Sequence, residues 1–182
     1  MTSLRKSHRI ARQAEATHQL IVFQMQQDWF ALPIQAAQKV IPMGPTYGDP
    51  ERTGVSLTRY QERELAVVDV TQRIFGQSSQ QQPGPSPTYL LLVQNSQGEI
   101  VGLPIVDQPS LRRVAKTAFA PLPTTYLSQG NIQCVSSVVV QLEQEPLMFL
   151  LDPEVLVRPG LLPSPVTLPV GQSAQSGLGG KG

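Results

Sequence analysis

The chain has 182 residues, of which 40% are apolar, 15% charged and 5% aromatic, and its formal net charge is +1. That length suits one ordinary domain built as two small lobes, and the apolar fraction argues against wholesale disorder. The near-neutral balance argues against a protein defined by nucleic-acid binding. One cysteine, Cys134, excludes an intrachain disulfide, and two histidines, His8 and His18, are too few to complete a His/Cys zinc site with it.

Residues 1 to 17 read as a basic arm, with Arg5, Lys6, Arg9 and Arg12 against Glu15. No apolar core follows those cations, so a secretory signal is not expected. The richest apolar run, Leu147–Leu151, is far below the ~20 residues of a membrane span. The expected location is the cytoplasm.

Order is expected from His18. His18–Met25 and Trp29–Ile34 read as a hairpin around the polar Gln26-Gln27-Asp28, and Ala36–Ile41 continues the apolar pattern to Pro42. Gly44–Thr53 is a loop by its Gly and Pro content. Gly54–Leu57 and Leu65–Asp69 read as strands on either side of a charged tip, Arg59–Glu64. Asp69–Phe75 fits a short helix that Gly76 stops. The run Gln77–Pro87 is a Gln/Ser/Pro-rich connector that cannot bury enough area to offset chain entropy.

A second strand-rich block follows. Tyr89–Val93 and Glu99–Val106 flank a turn at Asn95–Gly98, and Leu111–Val114 adds a short strand. Ala120–Pro123 reads as an extended link. Asn131–Leu142 alternates apolar and polar residues with a change of phase at Ser136-Ser137. Pro146–Leu151 fits a last strand. Asp152 followed by Pro153 starts a short helix, an N-cap with proline at the first helical position. Residues 158 to 182 read as a disordered Pro/Gly/Ser-rich tail. Nine or ten short strands without a long helix predict an all-β protein of small barrels or a sandwich.

No motif carries catalysis. Asp69 and Asp107 each end an apolar run and could act as acid and base if they shared a cleft, but a carboxylate there also caps turns and helices. Gly179–Gly182 lacks the Ser/Thr and the following helix of a phosphate loop. Arg112, Arg113 and Lys116 form a small basic cluster that could hold phosphates, and with the arm they support an alternative reading: a β-barrel module for nucleic acid or an anionic surface. Cys134, in Ile132-Gln133-Cys134-Val135, reads as a small buried hydrophobe. No catalytic residue, metal or cofactor is expected.

The ordered series Leu20–Phe23, Trp29–Ile34, Lys39–Pro42, Gly54-Val55, Leu65–Val70 and Ile74–Gly76 resembles the first half of a CheW-like domain. Tyr89–Val93, Val101–Asp107, Pro121-Leu122-Pro123 and Leu147–Leu151 resemble the second half. The resemblance spans residues 18 to 157. It implies two five-stranded β-barrel subdomains around a shared core, and a non-enzymatic adaptor. Such adaptors link methyl-accepting receptor tips to the regulatory domain of a CheA-type histidine kinase, in chemotaxis, pilus motility or phototaxis. By position it places Ala37, Lys39, Gly54, Arg59, Pro109 and Arg112 among the partner-binding residues. Two departures stand out. Ser56–Tyr60 replaces the family's Asn-Leu-Arg-Gly segment, leaving Arg59 as the nearest match to its arginine and Arg63 as another. Lys39 stands where an acidic residue is usual, which Glu62 or Glu64 could complement.

Overall fold

A computed structural model describes residues 16–49, 53–75, 85–127 and 134–157. The basic arm through Glu15, most of the Gln77–Pro87 connector and the tail from Arg158 lie outside the described residues.

Eleven strands appear among the described residues: β1 (Thr17–Met25), β2 (Asp28–Pro33), β3 (Ala37–Pro42), β4 (Val55–Tyr60), β5 (Arg63–Val68), β6 (Tyr89–Gln94), β7 (Ile100–Ile105), β8 (Ser110–Ala115), β9 (Phe119–Pro121), β10 (Val135–Val140) and β11 (Met148–Leu151). Short helices among the described residues are α1 (Val70–Phe75), α2 (Thr124–Leu127) and α3 (Pro153–Leu156). The all-β reading holds, with two sheets as the units.

The six-stranded sheet runs β8-β1-β2-β11-β10-β9 and the five-stranded sheet β3-β6-β7-β5-β4. Composition along the chain suggests two sequential blocks, but the sheets are not halves of the sequence. The chain opens the six-stranded sheet, builds all of the five-stranded one, and returns to finish the first. It crosses over twice, through a 3-10 turn at Ile34–Ala36 and through Val106–Pro109. Hydrophobic periodicity reports which faces of a strand are buried, not which strand lies beside it, so the interleaving is a tertiary fact.

Each sheet is rolled by its connections. The six-stranded sheet's edge strands, β8 and β9, are joined by only three residues, Lys116–Ala118. The five-stranded sheet's edges, β3 and β4, are joined by a loop tied at three points. Met43 N–H donates to the Thr88 carbonyl at 2.9 Å, Tyr47 bridges Leu57, and Thr58 Oγ1 donates to the Pro45 carbonyl at 2.9 Å.

Alternation then sorts the side chains into three cores. On β1, Phe23 and Met25 enter the large core between the sheets, whereas Leu20 and Val22 enter the interior of the six-stranded sheet. On β6, Leu91 and Val93 face the shared core, whereas Leu90 and Leu92 join Leu65 and Val67 inside the five-stranded sheet. Both faces are dry, which explains why Leu90–Val93 reads as an unbroken apolar run. Phe30 anchors the shared core, fully buried between the rings of Phe23 and Phe149 at centroid distances of 6.2 and 5.7 Å. Each fully buried Leu or Phe contributes about 1.5–3 kcal/mol by transfer from water.

Local details refine the expected elements. The charged tip is not a loop of six residues: β4 runs through Tyr60, β5 starts at Arg63, and the turn is Gln61-Glu62 alone, both with positive φ (49° and 62°). The expected link at Ala120–Pro123 starts as a strand, because β9 pairs with β10 through Ala120↔Val139. The phase change at Ser136-Ser137 is a bulge, where the β10–β11 register shifts between Val135 and Val139.

Candidate functional site

Ala37 is the first residue of β3, directly after the 3-10 turn that carries the chain from one sheet to the other. It is half-buried against the shared core. Pro109 occupies the second crossover, just before β8, and is also half-buried. These two candidates therefore mark the seam between the subdomains, where a small side chain and a rigid one let the chain change sheet.

Lys39 is exposed on the edge strand β3, opposite Leu92 and next to a register shift after Ala37. Arg59 is exposed on β4, the other edge of the same sheet. Glu62 binds Arg59 (Nη2 to Oε2, 3.3 Å), and Glu64 accepts a 2.7 Å hydrogen bond from the Tyr47 hydroxyl, which raises that phenol's pKa. The expected Lys39 pairing with Glu62 or Glu64 is thus replaced: both acids serve the β4–β5 hairpin and the loop before it. Register explains this, since Arg59 faces Glu64 across the hairpin whereas Lys39 lies at the far edge.

Gly54 stands immediately before β4 with φ +66°, and its carbonyl accepts the Asp69 N–H at 2.8 Å. A Cβ there would lie 3.0 Å from Arg73 Cγ. Its requirement is set by the backbone and by Arg73.

Asp69 serves local structure. It is buried, its Oδ1 accepts from Thr71 Oγ1 (2.6 Å) and from the Gln72 N–H (3.0 Å), and it caps α1. Asp107 is exposed at the second crossover. Among the described residues no group of three or more His, Cys, Asp or Glu could hold a metal ion. Cys134 is fully buried, and desolvation raises its thiol pKa despite the opposing Arg73 guanidinium. No helix of the described residues is long and apolar enough to cross a membrane.

The basic cluster of β8 is divided. Adjacent strand residues face opposite ways, and Arg112 binds Glu145 (Nη1 to Oε1, 3.3 Å) while Arg113 borders a groove of about 730 Å³ with Lys116. No residue of this groove except Arg113 and Lys116 stands out in the sequence. Leu20, Phe119 and Leu150 alternate as core positions, and only the rolled sheet brings them to one opening. The exposed apolar residues Ile100 and Leu111 were equally hidden in strand-like runs, and Tyr47 in the Gly44–Thr53 loop.

The family model described as the CheW-like domain matches residues 19–159. Among solved structures, the chain is similar to the scaffolding protein TtCheW from Thermoanaerobacter tengcongensis. The two share 16% identity and a TM-score of 0.59, over 75% of this chain and 90% of that one. At that identity the likeness concerns the fold. No curated protein sequence matches the chain.

Proposed function

The chain belongs to the CheW-like domain family, and on that premise we propose that it is a non-catalytic signalling adaptor coupling a methyl-accepting receptor to a CheA-type histidine kinase. The observation that carries this reading is the family match over residues 19–159, a span that includes nearly all of both sheets and both crossovers. The setting is chemotaxis, or type IV pilus motility and phototaxis, and the place of work is the cytoplasm. The adaptor proper is residues 18–157, with the arm and the tail as appendages.

The geometry supports work done by surfaces. Ala37 and Pro109 at the seam would receive the receptor's helical tip. The exposed edges bearing Lys39, Arg59 and Arg112 would meet charged groups of the partners, with Gly54 shaping the backbone beside them. Asp69, one of the two acids considered for catalysis, caps a helix, which fits an adaptor role.

The test is titration of the full chain with the regulatory domain of a cognate histidine kinase by calorimetry. Saturable binding is expected, and no complex up to about 50 μM, near −6 kcal/mol, would overturn the reading.

A further inference from the structure

The groove at one end of the six-stranded sheet has an apolar floor and a cationic rim. Phe119 and Leu150 form the floor over buried Leu20, and His18 packs edge-on to Phe119 with ring centroids 5.1 Å apart. Arg113 and Lys116 stand at the rim, and among the described residues no carboxylate lines the groove. Among the described residues neither cation has an ion-pair partner, whereas Arg112 on the opposite face of β8 is paired with Glu145.

This positive rim sits on a negative body. Residues 16–157 hold eight Lys/Arg against twelve Asp/Glu. Only Leu20 among the lining residues is buried, the rest being half-buried or exposed. A small-molecule pocket encloses roughly 70–90% of its ligand, which so open a groove does not do. A peptide segment laid along the surface needs no such enclosure. The chain's own ends do not fit the charge: residues 1–15 carry a net +3, and residues 158–182 contain Arg158 and Lys181 and no acid.

We propose that this groove docks an acidic, amphipathic segment of a partner protein, its apolar side chains on Phe119 and Leu150 and its carboxylates on Arg113 and Lys116. Charge complementarity selects the segment and the apolar floor holds it. None of the six residues assigned to the adaptor role lines the groove, although Ile34 and Gln35 of the first crossover do, and the inference stands on the groove's own residues rather than on that reading.

The probe is a fluorescent peptide of about 15 residues, with leucines at i, i+3, i+4 and i+7 and glutamates between them. Anisotropy with the full chain should show saturable binding that weakens with salt. Arg113→Glu combined with Lys116→Glu changes two exposed side chains and should weaken binding about tenfold or more. The lysine version of the peptide should bind weaker by a similar factor. Amide shifts in NMR should cluster on His18, Phe119 and Leu150. Equal affinity for the double variant, equal affinity for the lysine peptide, shifts centred on Ala37 and Pro109, or loss of binding on deleting residues 1–15 alone would each overturn the proposal. No kinase is present in the assay, so its failure is distinguishable from failure of the adaptor reading.

Discussion

Replacing Gly54 with alanine should destabilise the protein through the backbone rather than through a partner contact. Gly54 holds φ +66°, where a non-glycine residue costs about 1–2 kcal/mol. The new Cβ would also come within 3.0 Å of Arg73 Cγ and 3.4 Å of Gln72 Cγ. Both neighbours are flexible side chains and can yield, so the backbone cost dominates. Gly102 is the control: it lies in β7 without positive φ, and a Cβ there would meet the Leu65 and Leu90 methyls at 3.5 Å, ordinary contact. Gly102→Ala should therefore stay within about 0.5–1 kcal/mol of the parent, on either side. The assays are urea and thermal unfolding followed by the single tryptophan, Trp29, which packs against the interior of the six-stranded sheet. For a domain of this size each kcal/mol moves Tm by about 2–4 °C, so Gly54→Ala should lose about 2–8 °C. A domain stable by about 5–15 kcal/mol stays folded at 25 °C after that loss. Partner affinity at 25 °C should then be unchanged. Parental stability in Gly54→Ala, or weakened partner binding without a stability loss, would refute the assignment of Gly54 to backbone geometry.

Phe30→Ala empties the centre of the shared core and should cost about 3–5 kcal/mol, seen as a lower urea midpoint. Asp69→Ala removes the cap of α1 and leaves the Thr71 hydroxyl and the Gln72 N–H without their acceptor. A loss of about 1–2 kcal/mol is expected, with Asp69→Asn milder, by the same unfolding assay. An Arg112–Glu145 double-mutant cycle should give a coupling of only about 0–1 kcal/mol, because both side chains are substantially exposed. Cys134 should resist a thiol reagent until urea unfolds the chain. Its folded pKa is raised, so the unfolded chain releases the thiol proton first. The associated stability is fully present below the unfolded thiol pKa and is lost as pH rises from there through the folded value. Between about pH 7 and pH 9.5 the parent should lose more stability than Cys134→Ala, since tyrosines and lysines titrate in both; equal slopes would contradict this.

The site was legible to differing degrees. Ala37 and Pro109 could be placed by resemblance, but that both sit at crossovers needed the sheet order. The expected Lys39 pair failed because cross-strand neighbours are set by register, which places Glu64 opposite Arg59. Arg112 and Arg113 looked like one basic patch because adjacent letters carry no sign of direction. On a strand they face apart, and one finds Glu145 while the other rims a groove.

Short apolar runs broken by Pro and Gly, together with turn chemistry, determined from sequence alone that this is an all-β protein. Those signals are local: burial pattern, caps and phase changes are written within a few residues, down to the bulge at Ser136-Ser137. The tertiary structure decided the rest. It placed β3 to β7 in one sheet and returned β8 to β11 to the first, and so brought Leu20, Phe119 and Leu150 together beneath Arg113 and Lys116. Contacts between residues a hundred positions apart depend on which strands pair, and pairing is settled by the joint burial of three cores rather than by any single segment.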